Sequence, residues 1–389
     1  MTFLNFAATN SKYYKQLYKN IDLSNIKSIK DIKQLPIVTK EDIRANLEDI
    51  YTLPQKEGLA FYTGGTTGKS LKVIFTKEDF QKRMAYLDAY KYKLGVPNLF
   101  KIKKATFSGR PLVKTKETKI FWRDNYFYKQ RLYSTFHLNE DNLPVYINNL
   151  NKYKPIIING FVSAIHELAS YVLRNNLEIH SPLAIFTTSE VLLDEHRKVI
   201  SKAFNCKVYN QYASSEGAPF ITECIEGSLH YNIDTGIIEE DENKNMVITS
   251  FTTHGTPLVR YNIQDGITFK KGNCNCGSSH PLVESIQGRV VDYLYTSDNN
   301  KVSLSHLADV IKGLPNSIIK MQFIQDQINT IEIKIVVDSD VFIEKHKDTI
   351  IKEMRYRFGV DSIFNISVVK DIPREKSGKY RIIKNNVKS

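Results

Sequence analysis

The sequence predicts an α/β protein: a large N-terminal domain with mostly parallel sheets and a β-rich subdomain, and a small α+β C-terminal domain. Apolar strand patterns alternate with amphipathic helix patterns from about residue 140 to 250, which favours a parallel sheet covered by helices. Short alternating strands separated by turns occupy about 220–285. A strand, a helix, two strands, a helix and a strand follow over 292–370, and the 389 residues suffice for two or three domains.

The predicted elements follow this plan from the N-terminus. Residues 1–50 are predicted to be helical and polar, with Thr39 as an N-cap ahead of the acidic Glu41 and Asp42. Strands are predicted over 59–62, 71–75, 156–159, 183–187, 207–209, 246–250, 320–324, 330–337 and 363–370. Helices are predicted over 141–152, 163–175, 194–204, 304–312 and 340–358.

Charge and hydropathy narrow the class of protein. The net charge of +12 comes from 54 basic and 42 acidic residues, but lysine is spread along the chain without a dense basic block. This pattern predicts no nucleic-acid partner and suits anionic substrates. No apolar stretch approaches the ~20 residues that span a bilayer, so no membrane partner is expected. The N-terminus lacks an apolar run before a small-residue cleavage site, which predicts a cytoplasmic protein.

A Gly/Thr-rich loop between two predicted strands is the sharpest motif. Its backbone amides, hydroxyls and ammonium group suit a phosphate. The loop comprises Thr63, Gly64, Gly65, Thr66, Thr67, Gly68, Lys69 and Ser70. It is not a Walker A loop, because the first glycine of that pattern falls on Thr63 and the loop leads into a strand, not a helix. An ordinary glycine-rich hairpin remains the alternative.

Five signature segments in order, and a lead-in before the first of them, resemble the adenylate-forming enzymes, which include acyl-CoA synthetases, peptide-synthetase adenylation domains and luciferases. The segment FYTGGTTGKSLKV resembles their phosphate loop, and LPIVTKEDIRANL resembles the lead-in of the phenylacetate–CoA ligase branch with its capsule-biosynthesis relatives. The other four segments are NQYASSE at 210–216, RYNIQD at 260–265, GRVVD at 288–292 and PREKSGK at 373–379. Gln264 stands where the family usually has glycine, which predicts a differently shaped loop.

The resemblance implies a role for each matching residue. Tyr212 would stack on adenine, Ser215 would contact the α-phosphate, Glu216 would bind Mg²⁺ and Asp265 would hold the ribose hydroxyls. Further ATP-binding residues by resemblance are the 63–69 loop, Ser189, Glu190, Gln211 and Arg289. Lys379, Glu216 and Thr67 would be catalytic, and Asp292 would be a hinge for a mobile C-terminal domain.

Four of these residues also have an ordinary structural alternative. Glu216 would serve as a carboxylate at a helix N-terminus. Tyr212 would serve as core packing, Arg289 as a surface cation and Asp292 as a turn carboxylate.

Three cysteines and a histidine in the β-rich stretch predict a structural zinc site. Cys224, His230, Cys274 and Cys276 supply three thiolates and an imidazole, a set that suits tetrahedral Zn²⁺. Relatives in the phenylacetate–CoA ligase branch resemble this chain in carrying such a set. His254 and His280 are lesser candidates, and free thiols with an incidental histidine remain the alternative.

The predicted function is ATP-dependent activation of a small carboxylic acid to an acyl-adenylate, followed by transfer to a thiol, with coenzyme A as the first candidate. A carrier-protein thiol, an amine or a sugar is the alternative acceptor, and a non-catalytic nucleotide-binding protein is the second alternative. Residues 1–290 would form the large domain, with the zinc-binding subdomain at about 220–285. Residues 291–389 would form the lid that carries Lys379, and a homodimer is considered.

Overall fold

The computed structural model describes residues 2–62, 71–109, 112, 120–289, 293–298, 300–303, 307, 310, 317–375 and 378–387. The predicted phosphate loop at 63–70, the hinge residue Asp292 and the side chain of Arg289 lie outside this description, as does most of the predicted helix at 304–312. The chain divides into two compact units. The first unit comprises Met1–Asn98 and Tyr209–Gln287, and the second comprises Leu99–Val208 and Gly288–Ser389.

The described residues contain nine α-helices. They are α1 Thr2–Asn10, α2 Lys12–Leu17, α3 Lys40–Ala45, α4 Leu47–Ile50, α5 Lys77–Lys93, α6 Leu143–Tyr153, α7 Val162–Arg174, α8 Asp194–Phe204 and α9 Lys345–Phe358. Within the described part of the chain, no helix is both long and apolar enough to cross a bilayer.

The described strands are numbered in the same way. They are β1 Leu59–Tyr62, β2 Lys72–Phe75, β3 Lys104–Ser108, β4 Trp122–Asn125, β5 Gln130–Ser134, β6 Ile157–Phe161, β7 Ala184–Thr188, β8 Lys207–Tyr212, β9 Ile221–Glu223, β10 Leu229–Tyr231, β11 Gly236–Glu240, β12 Asn245–Ser250, β13 Tyr261–Lys270, β14 Leu282–Arg289, β15 Tyr293–Tyr295, β16 Lys301–Ser303, β17 Ile318–Gln327, β18 Thr330–Val337, β19 Ile363–Val368 and β20 Ile383–Asn385.

The first unit packs short helices against antiparallel strands. Its main sheet runs in the order β11-β12-β13-β14-β10-β9, and β1 and β2 form a separate antiparallel pair that flanks the glycine-rich loop. Thr39 caps α3 as predicted, with its side chain accepting from the backbone N–H of Asp42 while the Asp42 carboxylate accepts from Thr39. Helix α1 buries Phe3, Leu4 and Ala7, so the N-terminal region is less polar than predicted.

The second unit contains the predicted parallel sheet. Strands β7, β6, β3 and β5 lie side by side in parallel, and β4 pairs antiparallel with β5 at the edge. Helices α6, α7 and α8 cover the sheet because each carries an apolar stripe. Their shared core includes Phe107, Tyr133, Ile165, Ile185 and Phe204. The α/β prediction is confirmed for this region. The ends of β6, β7, α6, α7 and α8 lie within two residues of those expected, whereas β3, β4 and β5 were not among the predicted strands.

The C-terminal part of the second unit is an α+β layer of β19-β18-β17-β20 with α9. Its core is built on Phe323, Ile333 and Met354. Helix α9 begins five residues later than the predicted 340. The backbone carbonyl and carboxylate of Asp338 accept from Val341 and Asp340, and these bonds hold a turn there instead of a first helical turn.

Candidate active site and cysteine cluster

Tyr212 and Asp265, which the sequence assigned to adenine and ribose, lie in direct contact in the first unit. The Tyr212 hydroxyl donates to Asp265 Oδ2 at 2.6 Å. Burial, together with the negative charge of Asp265, raises the pKa of Tyr212 well above its usual value, so the hydroxyl remains a donor. The ring also packs against the core of the first unit, so core packing and the hydrogen bond coexist.

Strand β13 bulges just before Asp265, and its backbone there is glycine-like although residues 261–265 include no glycine. Gln264 has φ of 67°, in the left-handed region that glycine favours, and its N–H donates to Asn262 Oδ1 at 2.9 Å. Arg260 also has positive φ, and its guanidinium forms a bidentate pair with Glu239 at 3.0 and 3.1 Å. The segment predicted to be a differently shaped loop is therefore a bulged strand that these contacts hold.

Glu216 is buried in a turn between β8 and β9, so it is not the first-turn carboxylate of a helix. A neighbouring predicted residue, Gln211, is also buried, and its Oε1 has no hydrogen-bond partner within the described residues. A buried acceptor of this kind suits a donor group on a ligand. Ser215, by contrast, is exposed.

A buried arginine that sequence reasoning missed fixes the turn after Glu216. Arg83 on α5 is 5% exposed, and its guanidinium donates to the carbonyls of Gly217 at 2.9 Å and Ala218 at 3.0 Å, and to Thr252 Oγ1 at 2.9 Å. It also lies over the Phe220 ring at 4.3 Å. Burial lowers its pKa to about 10, which still leaves it charged at neutral pH. The Glu216 turn is therefore held by a desolvated cation.

The four predicted metal ligands come together in the first unit. The ligand atoms of Cys224, His230, Cys274 and Cys276 all lie within 4.8 Å of one another. Cys224 Sγ is 3.7 Å from Cys274 Sγ, and Cys276 Sγ is 3.5 Å from His230 Nε2. Tetrahedral Zn²⁺ at its usual bond lengths separates two sulfurs by about 3.8 Å and a sulfur and a nitrogen by about 3.5 Å, so the geometry fits.

The hydrogen bonds around the cluster also suit a metal. His230 Nδ1 lies 2.9 Å from the His280 carbonyl, which leaves Nε2 directed at the thiols. The two lesser candidates have other contacts: His280 supplies that carbonyl, and His254 Nδ1 lies 2.7 Å from Asp79 Oδ1. Among the described residues, the cluster therefore has the composition that the sequence predicted.

Glu190 in the second unit contacts the segment that carries Lys379. Its carboxylate accepts from the backbone N–H and hydroxyl of Ser163 at 2.7 and 3.0 Å, and from the N–H of Tyr380 at 3.1 Å. Ser189 beside it has φ of 69° and is exposed. Glu190 thus orients the backbone next to Lys379 in this structure.

Glu167, a second residue that the sequence did not reveal, anchors the same segment. Its carboxylate pairs with Arg374 Nη2 at 2.9 Å and with Lys320 Nζ at 2.7 Å, and the Glu167 and Arg374 side chains are each 7% exposed. Arg374 also donates to Ser163 Oγ at 2.7 Å. The one sign in the sequence is that Glu167 is the lone acidic residue of α7.

Gly378 fits closely where this segment meets the sheet. Its φ is 75°, and an added Cβ would lie 2.4 Å from Gly109 Cα and 2.8 Å from Thr135 Oγ1. No other residue type fits there without displacing backbone. Lys379 therefore follows a position whose backbone is fixed on both sides.

Comparison with known proteins identifies the family. Protein CapK of Staphylococcus aureus is 37% identical to this chain over an alignment of 399 positions, which covers 99% of this chain and 87% of that protein. The chain belongs to the CapK family. A family model described as the CapK C-terminal domain also matches residues 294–386 of this CapK family member.

Solved structures establish the fold of this CapK family member. A crystal structure of 2-hydroxyisobutyryl-CoA ligase in the postadenylation state matches with a TM-score of 0.79 at 13% identity, covering 99% of this chain and 87% of that one. The anthranilate CoA ligase AuaEII matches with a TM-score of 0.56 at 13% identity, covering 83% and 65%. The fold implied by the resemblance to the adenylate-forming enzymes is confirmed.

Replacing Arg83 with Met should destabilise the chain, because three buried acceptors lose their donor. We expect the free energy of unfolding to fall by ~3 kcal/mol, as measured by urea denaturation. Lys82→Met is the matched control: Lys82 is half exposed and pairs only with an exposed Glu78, so its loss should cost less than ~0.5 kcal/mol. Equal stability of the two variants would contradict the anchoring role of Arg83.

Proposed function

We propose that this CapK family member activates a carboxylic acid with ATP and transfers the acyl group to a thiol, with coenzyme A as the first candidate. In the first step a carboxylate oxygen attacks the α-phosphorus, the bond to the β-phosphate oxygen breaks, and pyrophosphate leaves. In the second step a thiolate sulfur attacks the carbonyl carbon, the bond to the phosphate oxygen breaks, and AMP leaves. Both steps conserve charge without an oxidant or reductant.

One observation carries the proposal: the Lys379 segment is held by buried residues and is not a loose tail. Charge develops on the phosphate oxygens during adenylation, and a cation placed beforehand stabilises it without reorganisation. Glu167 and Glu190 fix the backbone on both sides of Lys379 through Arg374 and Tyr380. A lysine held in this way suits the role of the catalytic cation.

The first unit supplies the other groups that the proposal needs. Asp265, oriented by Tyr212, would accept from the ribose hydroxyls, and the Tyr212 ring would lie against adenine. Gln211 Oε1 offers a buried acceptor. Glu216 would hold Mg²⁺, which would neutralise charge on the phosphates. By resemblance alone, Thr63 to Lys69 would bind phosphate, as would Arg289, which belongs to the second unit.

The proposal includes the domain division that the sequence suggested. Residues 1–290 would bind ATP and the acid, and 291–389 would act as a lid that turns at Asp292 between the two steps. Rotation of the lid would break the Glu167–Arg374 pair. The arrangement in which this pair is formed would therefore be the one that serves adenylation. A carrier-protein thiol, an amine or a sugar hydroxyl remains the second candidate acceptor.

The direct test of the reaction is ATP–pyrophosphate exchange over a panel of carboxylic acids, followed by addition of coenzyme A to the best acid. Acid-dependent exchange and the appearance of an acyl-CoA are the expected results. Pyrophosphate exchange without formation of an acyl-CoA would indicate a carrier-protein thiol, an amine or a sugar hydroxyl as the acceptor. A protein that binds ATP but exchanges no pyrophosphate with any acid would refute the proposal.

Lys379→Ala should lower acid-dependent pyrophosphate exchange by ~10²–10³-fold, the scale of losing one transition-state donor. Transfer from a chemically prepared acyl-adenylate should change far less, because that step does not build charge on a pentacovalent phosphate. Lys370→Ala is the control, since this exposed lysine lies nine positions earlier in the same segment. Normal exchange by Lys379→Ala would remove the lysine from the mechanism.

We also propose that the cysteine cluster holds one structural zinc. Purified protein should carry about one zinc per chain by elemental analysis. Cys276→Ser should lose the metal and lower the melting temperature, whereas Cys206→Ser, which changes a cysteine outside the cluster, should keep the metal. Protein purified without chelators and found free of zinc would overturn this assignment.

A further inference from the structure

Four parallel strands of the second unit begin at the same edge of their sheet, and the loops before them lie side by side. The N–H of Lys104 donates to the Lys129 carbonyl at 2.9 Å, that of Ile156 to Lys103 at 2.8 Å, and that of Leu183 to Ile156 at 2.8 Å. We name this region the amino-edge surface. It comprises Phe100, Lys101, Lys103, Tyr126–Lys129, Ile156 and Leu183.

Large apolar side chains are unusually exposed on the amino-edge surface. Tyr126 is 86% exposed, Phe127 is 79% exposed and Phe100 is 55% exposed. Tyr126 and Phe127 lie in a turn held by two hydrogen bonds, from the N–H of Lys129 to the Tyr126 carbonyl at 3.2 Å and from the N–H of Tyr128 to Asn125 Oδ1 at 3.3 Å. A well-formed turn that presents aromatic rings to solvent marks an interaction site.

The exposed rings form one patch and are not scattered singly. The Phe100 and Tyr128 ring centroids are 5.9 Å apart, and those of Phe127 and Tyr128 are 5.0 Å apart. Ile156 and Leu183 are 37% and 52% exposed. The backbone hydrogen bonds given above place them next along the same edge of the sheet, so they extend the patch. The apolar surface thus spans the starts of four strands.

Positive charge surrounds this patch. Lys101, Lys103 and Lys129 are all exposed, and Lys129 Nζ reaches the Lys101 carbonyl at 3.4 Å. Over 99–103, 126–129, 154–156 and 175–183, the side chains include four lysines and a single carboxylate, that of Glu178. Asp124 on the adjoining strand is paired with Arg131 at 2.7 Å. The patch is therefore apolar at its centre and cationic around it.

We propose that the amino-edge surface binds the surface of an anionic phospholipid bilayer. The sequence predicted no membrane partner because it has no apolar span, and a peripheral contact of this kind requires none. Tyrosine and phenylalanine at the tip of a turn suit the headgroup boundary, where an aromatic ring is buried and a hydroxyl stays wet. Lysines beside them are attracted to anionic headgroups. Lysine is depleted in protein–protein interfaces relative to the rest of the surface, whereas four lysines and a single carboxylate border these rings over the stretches given above, which favours an anionic surface as the partner.

The position of this surface in the second unit agrees with the proposal. Ser163 and Glu190, which orient the Lys379 segment, follow the carboxyl ends of β6 and β7. The amino-edge surface lies at the other ends of the same strands. Because ligands of open α/β sheets bind at the carboxyl ends, bilayer contact at the amino ends leaves the reaction edge accessible.

The test is cosedimentation of the full chain with vesicles of phosphatidylcholine and phosphatidylglycerol, and with vesicles of phosphatidylcholine alone. The unmodified chain should partition onto the anionic vesicles, less so as salt is raised. Lys101→Gln, Lys103→Gln and Lys129→Gln together should lower the partition coefficient by about a hundredfold, from roughly fivefold for each lysine. Tyr126→Ser with Phe127→Ser should lower it by about tenfold or more.

Tyr356→Ser is the matched control, because Tyr356 is 84% exposed on α9, outside the amino-edge surface. It should bind anionic vesicles as the unmodified chain does. Failure of the unmodified chain to bind at low salt, or equal binding by all variants, would overturn the proposal. A dimer that Tyr126→Ser with Phe127→Ser dissociates, without any vesicle binding, would also overturn it and assign the surface to a second copy of this chain.

Discussion

A buried carboxylate, Glu167, anchors the chain just before Lys379 in this structure. Glu167 accepts from Arg374 and Lys320, and removal from water is costly for each of these charges unless its partners remain in place. Loss of one partner from such a group typically costs ~3–5 kcal/mol, more than most single contacts in a protein. The segment is therefore either bound through this group or detached from it, with little stability in between. The proposed lid would be held in one of its two positions by this contact.

The same principle holds for the first unit. There a buried cation, Arg83, fixes the turn after Glu216 by saturating its carbonyls, and the Tyr212 hydroxyl fixes the Asp265 carboxylate. In each case a charged group that would be costly to bury without partners is hydrogen-bonded to backbone carbonyls or to a polar side chain. Each of these contacts lies at or beside a residue of the candidate site. Preorganisation of this type reduces the reorganisation that a charged transition state would otherwise require.

Local pattern predicted much of the fold. The period of apolar residues placed α7 and α8 within one residue of their observed ends, because amphipathic helices and buried parallel strands leave strong periodic signals. The cysteine cluster was also predicted, because three thiols and an imidazole fall in the β-rich stretch and because relatives in the phenylacetate–CoA ligase branch carry such a set. The start of α9 was missed because Asp338 holds a turn that a helical pattern does not reveal.

The anchoring residues of the candidate site were beyond local pattern. Glu167 and Arg374 are 207 positions apart, and a single sequence carries no sign of such a pairing. Arg83 lies in a 17-residue helix with lysines and carboxylates on several faces. The sequence of such a helix does not distinguish a buried guanidinium from an exposed one. The backbone conformation of Gln264 was not predictable from its residue type, because neighbouring contacts set its positive φ.

Hydrogen exchange of the backbone amides at 378–382, followed by mass spectrometry, tests most directly whether Glu167 holds the Lys379 segment. Glu167→Gln and Arg374→Met should each accelerate exchange there by about tenfold or more, and the double variant should add little, because both changes break one contact. Glu140→Gln, which alters a half-exposed partner of Arg174, should leave these amides unchanged. Unaltered protection in Glu167→Gln would contradict the account.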